Sequence, residues 1–175
     1  MWDTRFKAST ILLPFGSFVG LTEKLEEIDP TELARDLNGG VVVFRPLWNP
    51  KWRVSLAASG PAVRWAPAFA RIRRGDPVTI QCITPQTDVI LPGQTTVIVN
   101  RRIVPGSVRA RLAFDEEEYL IPVSVDGQAV TIDAPRNAPV SVTWRMELDA
   151  VLASRALSMP EIEGRLDWTM SFEEA

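Results

Sequence analysis

Four consecutive acids, Asp115-Glu116-Glu117-Glu118, and several arginine clusters are the residues whose types could do chemistry in this chain. Adjacent carboxylates could hold a hard cation or divide general-acid and general-base roles. A calcium loop, however, needs ligands at defined offsets around a central glycine, and this run offers neither. It reads as a solvated tip between two strands. Arg71, Arg73 and Arg74, then Arg101 and Arg102, then Arg109 and Arg111, form the basic counterpart. They could grip phosphates, or they could meet acidic runs on a neighbouring copy of the chain. The clusters are short and the net charge is −3. Subunit contacts are therefore the expected role, and sequence-specific nucleic-acid binding is not.

The absences narrow the chemistry further. The chain has no histidine and a single cysteine, Cys82. That removes Ser-His-Asp and Cys-His triads, histidine-rich zinc sites and four-cysteine clusters. Cys82, within Ile80-Gln81-Cys82-Ile83, reads as a small buried apolar residue. One cysteine forms no internal disulfide, which is compatible with a reducing cytoplasm. Gly39-Gly40 stops a helix rather than opening one, so no phosphate-cradling loop is expected. Glycosidase chemistry from carboxylates alone needs two positioned acids in a cleft, and no such pair stands out. The expectation is a protein that is not an enzyme and takes no cofactor or metal.

Six tryptophans against one tyrosine raise a different possibility, an indole platform for sugar rings. Trp144 and Trp168 fall on apolar faces and read as core. Trp2, Trp48, Trp52 and Trp65 lie in or beside loops. Interface anchoring explains them as well as sugar binding does, because tryptophan is enriched at interface hot spots. The candidate subunit-interface set is Trp48, Trp52, Trp65, Arg71, Arg73, Arg74, Arg101, Arg102 and the acids Asp115, Glu116, Glu117 and Glu118.

The elements that must position these residues are mostly strands. The 175 residues are 46% apolar and 23% charged, the balance of a folded globular chain. Leu166, Trp168, Met170 and Phe172 alternate with polar residues, as do Val140, Val142, Trp144, Met146 and Leu148. Two long half-buried strands of this kind point to an antiparallel β-sandwich or barrel. Val41–Phe44 reads as a strand covered on both faces, Trp52–Ala58 as its return, and Val78–Thr84, Thr95–Val104, Val108–Phe114 and Tyr119–Val125 as further strands. Asp126-Gly127 predicts a type I′ hairpin joining Tyr119–Val125 to Gln128–Asp133. Asp29-Pro30-Thr31-Glu32, with Leu33 and Leu37 four apart and Asn38-Gly39-Gly40 behind them, predicts one short helix near 30–38. Thr22–Ile28 reads as a preceding helical turn with a solvated acidic face, and Ala66–Arg74 as one more turn. Pro85, Pro92 and Gly93 suggest an extended arm over 84–102. The apolar run Ile11–Leu21 is broken by Pro14 and Gly16. It reads as a strand ending in a loop rather than as a signal peptide, and it is too short to span a bilayer. The whole is read as one β-rich domain.

Two stretches carry a family resemblance. One runs Leu47-Trp48-Asn49-Pro50-Lys51-Trp52-Arg53-Val54-Ser55-Leu56 and on through a Pro/Ala-rich turn to Arg73-Arg74-Gly75-Asp76-Pro77-Val78-Thr79-Ile80. The other is the close, Gly164-Arg165-Leu166-Asp167-Trp168-Thr169-Met170-Ser171-Phe172-Glu173-Glu174-Ala175. In these the chain resembles small tail and tail-tip proteins of long-tailed, non-contractile bacteriophages, most of all the distal tail protein. The resemblance implies a hexameric ring joining the tail tube to the tail-tip hub, with copies of itself, the tube protein and the hub proteins as partners. It also implies a place in the virion tail, assembled in the host cytoplasm, with no membrane partner and with DNA passing through the lumen. A tail-tube or tail-terminator protein is the alternative within that group, and a carbohydrate-binding β-sandwich module the alternative outside it.

Overall fold

The computed structural model describes residues 6–9, 20–28, 32–35, 38–44, 50–59, 72–113, 120–158 and 166–175. These residues form a mainly β protein built on a curled antiparallel sheet, with no helix among them. The strands are β1 (Lys7–Ala8), β2 (Leu21–Ile28), β3 (Glu32–Arg35), β4 (Val41–Phe44), β5 (Lys51–Ala58), β6 (Pro77–Ile90) and β7 (Thr96–Ile98). They continue with β8 (Arg102–Ile103), β9 (Arg109–Leu112), β10 (Val123–Asp126), β11 (Ala129–Ile132), β12 (Val140–Ser158) and β13 (Asp167–Glu174).

Strand β12 is the spine. Along one edge it pairs with β6, from Val140 opposite Ile90 to Val151 opposite Pro77. Its other edge is shared in turn by β9, β8 and β13. The main sheet then runs β13-β5-β2 on one side, while β6 carries β1 on the other. The alternation read in the sequence is the reason this sheet curls around a core. Val140, Val142, Trp144, Met146 and Leu148 are all buried, and so are Trp168, Met170 and Phe172. Val54, Leu56, Ile80 and Cys82 complete the same cluster. Removing such side chains from water is the main favourable term in folding, at about 25 cal/mol per Å2 of apolar surface.

The curl is fastened by a side chain. Between Arg145 and Glu147 the β6–β12 register shifts: Gln81 faces Glu147, whereas Pro85 faces Arg145. The bulge leaves backbone groups of β6 without ladder partners. Glu23, on the opposite edge strand β2, supplies its carboxylate to the N–H groups of Ile83 (3.0 Å) and Thr84 (2.8 Å). The acidic residues of Thr22–Ile28 were expected on the solvated face of a helical turn. Instead this stretch is a strand paired with β5, and Glu23 joins the two ends of the sheet.

Three further expectations are corrected. The short helix near 30–38 is not seen among the described residues: Glu32–Arg35 pairs with Val41–Phe44 in a two-stranded sheet. A two-turn helix is marginal without a partner, and Asn38-Gly39 serves a strand reversal as readily as a helix stop. Gly39 there takes φ +83°, and the Arg35 guanidinium donates to its carbonyl. Val41, expected to be covered on both faces, is 60% exposed. The arm over 84–102 leaves the main sheet only in part: Thr87 to Ile90 pair with Val140 to Thr143, Thr96–Ile98 joins a smaller sheet, and Ile90 and Val99 are buried.

A smaller three-stranded sheet, in the order β10-β11-β7, holds the predicted hairpin one residue out of register. Asp126 pairs with Ala129, so the two-residue loop is Gly127-Gln128. Only Gly127 has positive φ there, at +59°, which suits a type II′ turn and not the type I′ expected. The last strand, read in the sequence as Arg165 to Glu173, is Asp167–Glu174, and Val151–Leu157, whose sequence leaves its form ambiguous, continues β12. The expected turn at Ala66–Arg74 and the apolar run Ile11–Leu21 fall largely outside the described residues.

Candidate functional site

Strand β8 and the first residues after β7 bring Arg101 and Arg102 to the outer side of β12. The sequence suggests that they meet acids on another copy. The fold gives them acids of their own. The Arg101 Nε lies 2.8 Å from Glu174 Oε1, and its Nη2 donates to the Pro50 carbonyl at 2.7 Å. The same Glu174 accepts the Trp52 backbone N–H, tying the start of β5 to the end of β13. Arg102 Nη2 reaches Asp149 Oδ1 at 2.6 Å, and its Nε lies 3.8 Å from Glu147. Thr79 also donates its hydroxyl to Asp149. The Arg102 bond first, and the Thr79 bond second, hold the Asp149 carboxyl below its ordinary range. These arginines therefore serve as an internal clasp, and Asp149 with Arg102 is its exposed end.

Arg73 and Arg74 stand exposed at the turn that leads into β6. The turn is closed by Asp76, which accepts the Arg73 N–H at 2.6 Å, and by Gly75 at φ +87°. Trp52 is half-buried on β5 and packs against the core. Trp48, Trp65, Arg71, Asp115, Glu116, Glu117 and Glu118 lie outside the described residues. Cys82 is buried as expected; burial pushes its thiol well up, and Glu23 nearby adds to the effect. Among the described residues no group of three or more carboxylates and thiols is placed to hold a metal ion.

The sequence reading missed one residue altogether. Arg145 belongs by alternation to the outer face of β12, with Ser141, Thr143 and Glu147, yet it is only 5% exposed. The cause is the turn between β8 and β9. Pro105 and Gly106 take the two central positions, and Ser107 N–H donates back to the Val104 carbonyl. Gly106 has φ +74°, as a type II turn requires of its third residue. This turn fills the gap that β8 and β9 leave along β12: Val104 N–H donates to the Arg145 carbonyl, and Arg145 N–H donates to Ser107 Oγ. A cavity of about 130 Å3 results, bordered by Lys7, Gln81, Ser107, Arg109 and Arg145. No local pattern around Arg145 could have announced that a turn some 40 residues earlier lands on it.

No protein-family model matches the sequence, and no curated protein matches it either. The functional reading rests on the residues themselves.

Proposed function

We propose that this chain is a self-assembling structural protein of a bacteriophage tail, most like the distal tail protein whose ring joins the tail tube to the tail-tip hub. The supporting observation is where apolar surface remains uncovered. Of the seven large apolar side chains exposed among the described residues, Ile98 and Val125 lie in the small sheet, Leu120 just before it, and Val89 and Leu91 at the end of β6 that leads into it. Ile98 is 75% exposed. Backbone bonds from Gly93 to Arg136, from Ile132 to Thr95 and from Val99 to Gln128 hold these segments together. In this sheet β10 and β7 are the outer strands. Apolar side chains beside open strand edges are an association surface, and a heterologous contact that closes on itself makes a ring.

Native mass spectrometry of the full chain, with imaging of purified tails, tests the reading. Closed oligomers, or a monomer that enters particles only with tail partners, are expected. Ile98→Lys places a charge in the contact and should shift the oligomer to monomer while leaving the thermal unfolding midpoint within a few degrees. A monodisperse wild-type monomer that never appears in tails overturns the proposal.

A further inference from the structure

Both outer strands of the small sheet turn unused backbone groups outward, and the phase of their pairing says which groups these are. Val99 N–H donates to the Gln128 carbonyl and Ile132 N–H to the Thr95 carbonyl, with Val97 opposite Val130 between them. In an antiparallel ladder the bonded pairs alternate along the strand. Val97 therefore bonds β11, while Thr96 and Ile98 direct their N–H and C=O groups away from it. The same phase turns Ala129 and Thr131 of β11 toward Asp126 and Ser124, which leaves Val123 and Val125 as the outward residues of β10. Among the described residues no other strand pairs with β7 or β10; a lone bridge from Ile121 to Ala110 stops just before β10. Edges that must stay single are usually guarded by charges or proline. Gln94 to Asn100 has no charged residue, no proline and no glycine, and its five central residues are all β-branched. Such a segment is a ready partner for another strand.

We propose that β7 of one copy pairs in parallel with β10 of the next, so that the small sheet continues from copy to copy around a closed assembly. The inference rests on the self-assembly reading and names its seam. Parallel orientation follows from the two faces of the sheet. Val97, Val123, Val130 and Ile132 pack toward the core, whereas Thr96, Ile98 and Ser124 are exposed on the other face. In a parallel pair an outward residue sits between two outward residues of its neighbour. Ile98 then donates its N–H to the next copy's Val123 carbonyl, accepts from that copy's Val125 N–H, and lies beside its Ser124. Every core face stays on one side. An antiparallel pair would set Ile98 directly opposite Val123 or Val125 and turn one copy over. Rotation about a ring axis likewise preserves the direction of a strand that lies along it. The occupant is a second copy because one such contact covers a β7 edge and a β10 edge together, and its repetition around a ring leaves neither open.

Proline tests this seam without breaking the sheet's own bonds, because at these positions it removes only an N–H that points outward. Ile98→Pro blocks the β7 edge and Val125→Pro the β10 edge of the full chain. Each alone should raise the concentration needed for assembly, read by native mass spectrometry, about tenfold or more. Mixed together, the two should form one-to-one dimers and nothing larger, since each keeps the edge that the other lacks. Where the wild type assembles only in tails, the same variants should fail to enter them. Ile98→Cys and Ser124→Cys combined in one chain should link copies into a ladder on mild oxidation, whereas either change alone should link none. Cys82 is buried and takes no part. The cysteine pair decides the matter if a proline variant does not fold. A Val125→Pro chain that still dimerises by itself assigns the contact to two β7 edges and overturns the proposal. Wild-type oligomers that survive both proline changes, with no ladder from the cysteine pair, overturn the seam alone. A wild-type monomer that never enters tails overturns the seam and the self-assembly reading together.

Discussion

Arg101 and Arg145 are both drawn largely out of solvent on the outer side of the same sheet, and they meet opposite fates. Arg101 finds a carboxylate, Glu174, and two carbonyl oxygens, those of Asn100 and Pro50. Arg145 finds no hydrogen-bond partner for its Nε or its Nη1. The difference lies in what covers each residue. Arg101 is covered by the ends of β5 and β13, which carry Glu174 and an open carbonyl. Arg145 is covered by a Pro-Gly turn whose polar groups are occupied with closing itself and with bridging the backbone of β12. Burying a charge without a partner is costly. One guanidinium is therefore compensated by a carboxylate of the chain, and the other keeps two shielded nitrogens without a hydrogen bond.

The comparison can be broken from either side. Glu174→Ala turns Arg101 into a second orphan and also deprives the Trp52 N–H of its acceptor. The pair is mostly shielded, with 14% and 18% of the two side chains exposed. Loss of one partner should cost about 3 kcal/mol in chemical denaturation, the largest of these effects. Arg145→Met should have the other sign. An apolar side chain of similar length replaces an uncompensated charge, so stability should hold or rise by about 1 kcal/mol. A loss as large as that of Glu174→Ala would show that Arg145 is as well satisfied as Arg101.

The smallest effect sharpens the comparison at the exposed end of the clasp. Asp149 has its carboxyl held below the ordinary 3.8, first by Arg102 and then by Thr79. A carboxyl depressed on folding adds stability that is full above its unfolded value and is lost as pH falls through the folded one. Wild-type stability should therefore fall with pH below about 3.8 more steeply than that of Arg102→Gln. Denaturant midpoints measured stepwise from pH 5 to pH 2.5 would check it, and the difference should shrink with added salt because the pair is exposed.

The sequence made the core legible and the surface much less so, for a physical reason. Burial of Trp168, Met170 and Phe172 follows from a period of two that any half-buried strand must keep. Trp144 fits the same rule, and its indole N–H is satisfied by Asp88 at 2.7 Å. Hairpins were partly readable. Asp126-Gly127 marked the right reversal, but only the first residue of the loop, Gly127, takes positive φ, where a type I′ turn needs it at both. The helix near 30–38 failed because capping residues announce an end without supplying the docking that a short helix needs. The roles of Glu23, Glu174 and Arg145 were hidden, since each depends on which distant strand lies alongside. Glu23, an acid that looked solvated, holds backbone donors across a bulge, and Arg145, placed by alternation on the outer face, is roofed over.

The placement of β13 between β12 and β5 also bears on how the chain is made. Strand β5 pairs with β2 along one edge and with β13 along the other, and Arg53 meets Glu173 across 120 residues. During translation the β2–β5 pair is complete once Ala58 has left the ribosome. Its free edge then waits until residues 167–174 are synthesised, about 5–20 s later at typical elongation rates. Pairings so distant in sequence are slow to form, and the waiting edge is open to other nascent chains. Slower growth temperature or chaperone supply should therefore govern yield of the folded protein more than any substitution in the finished core.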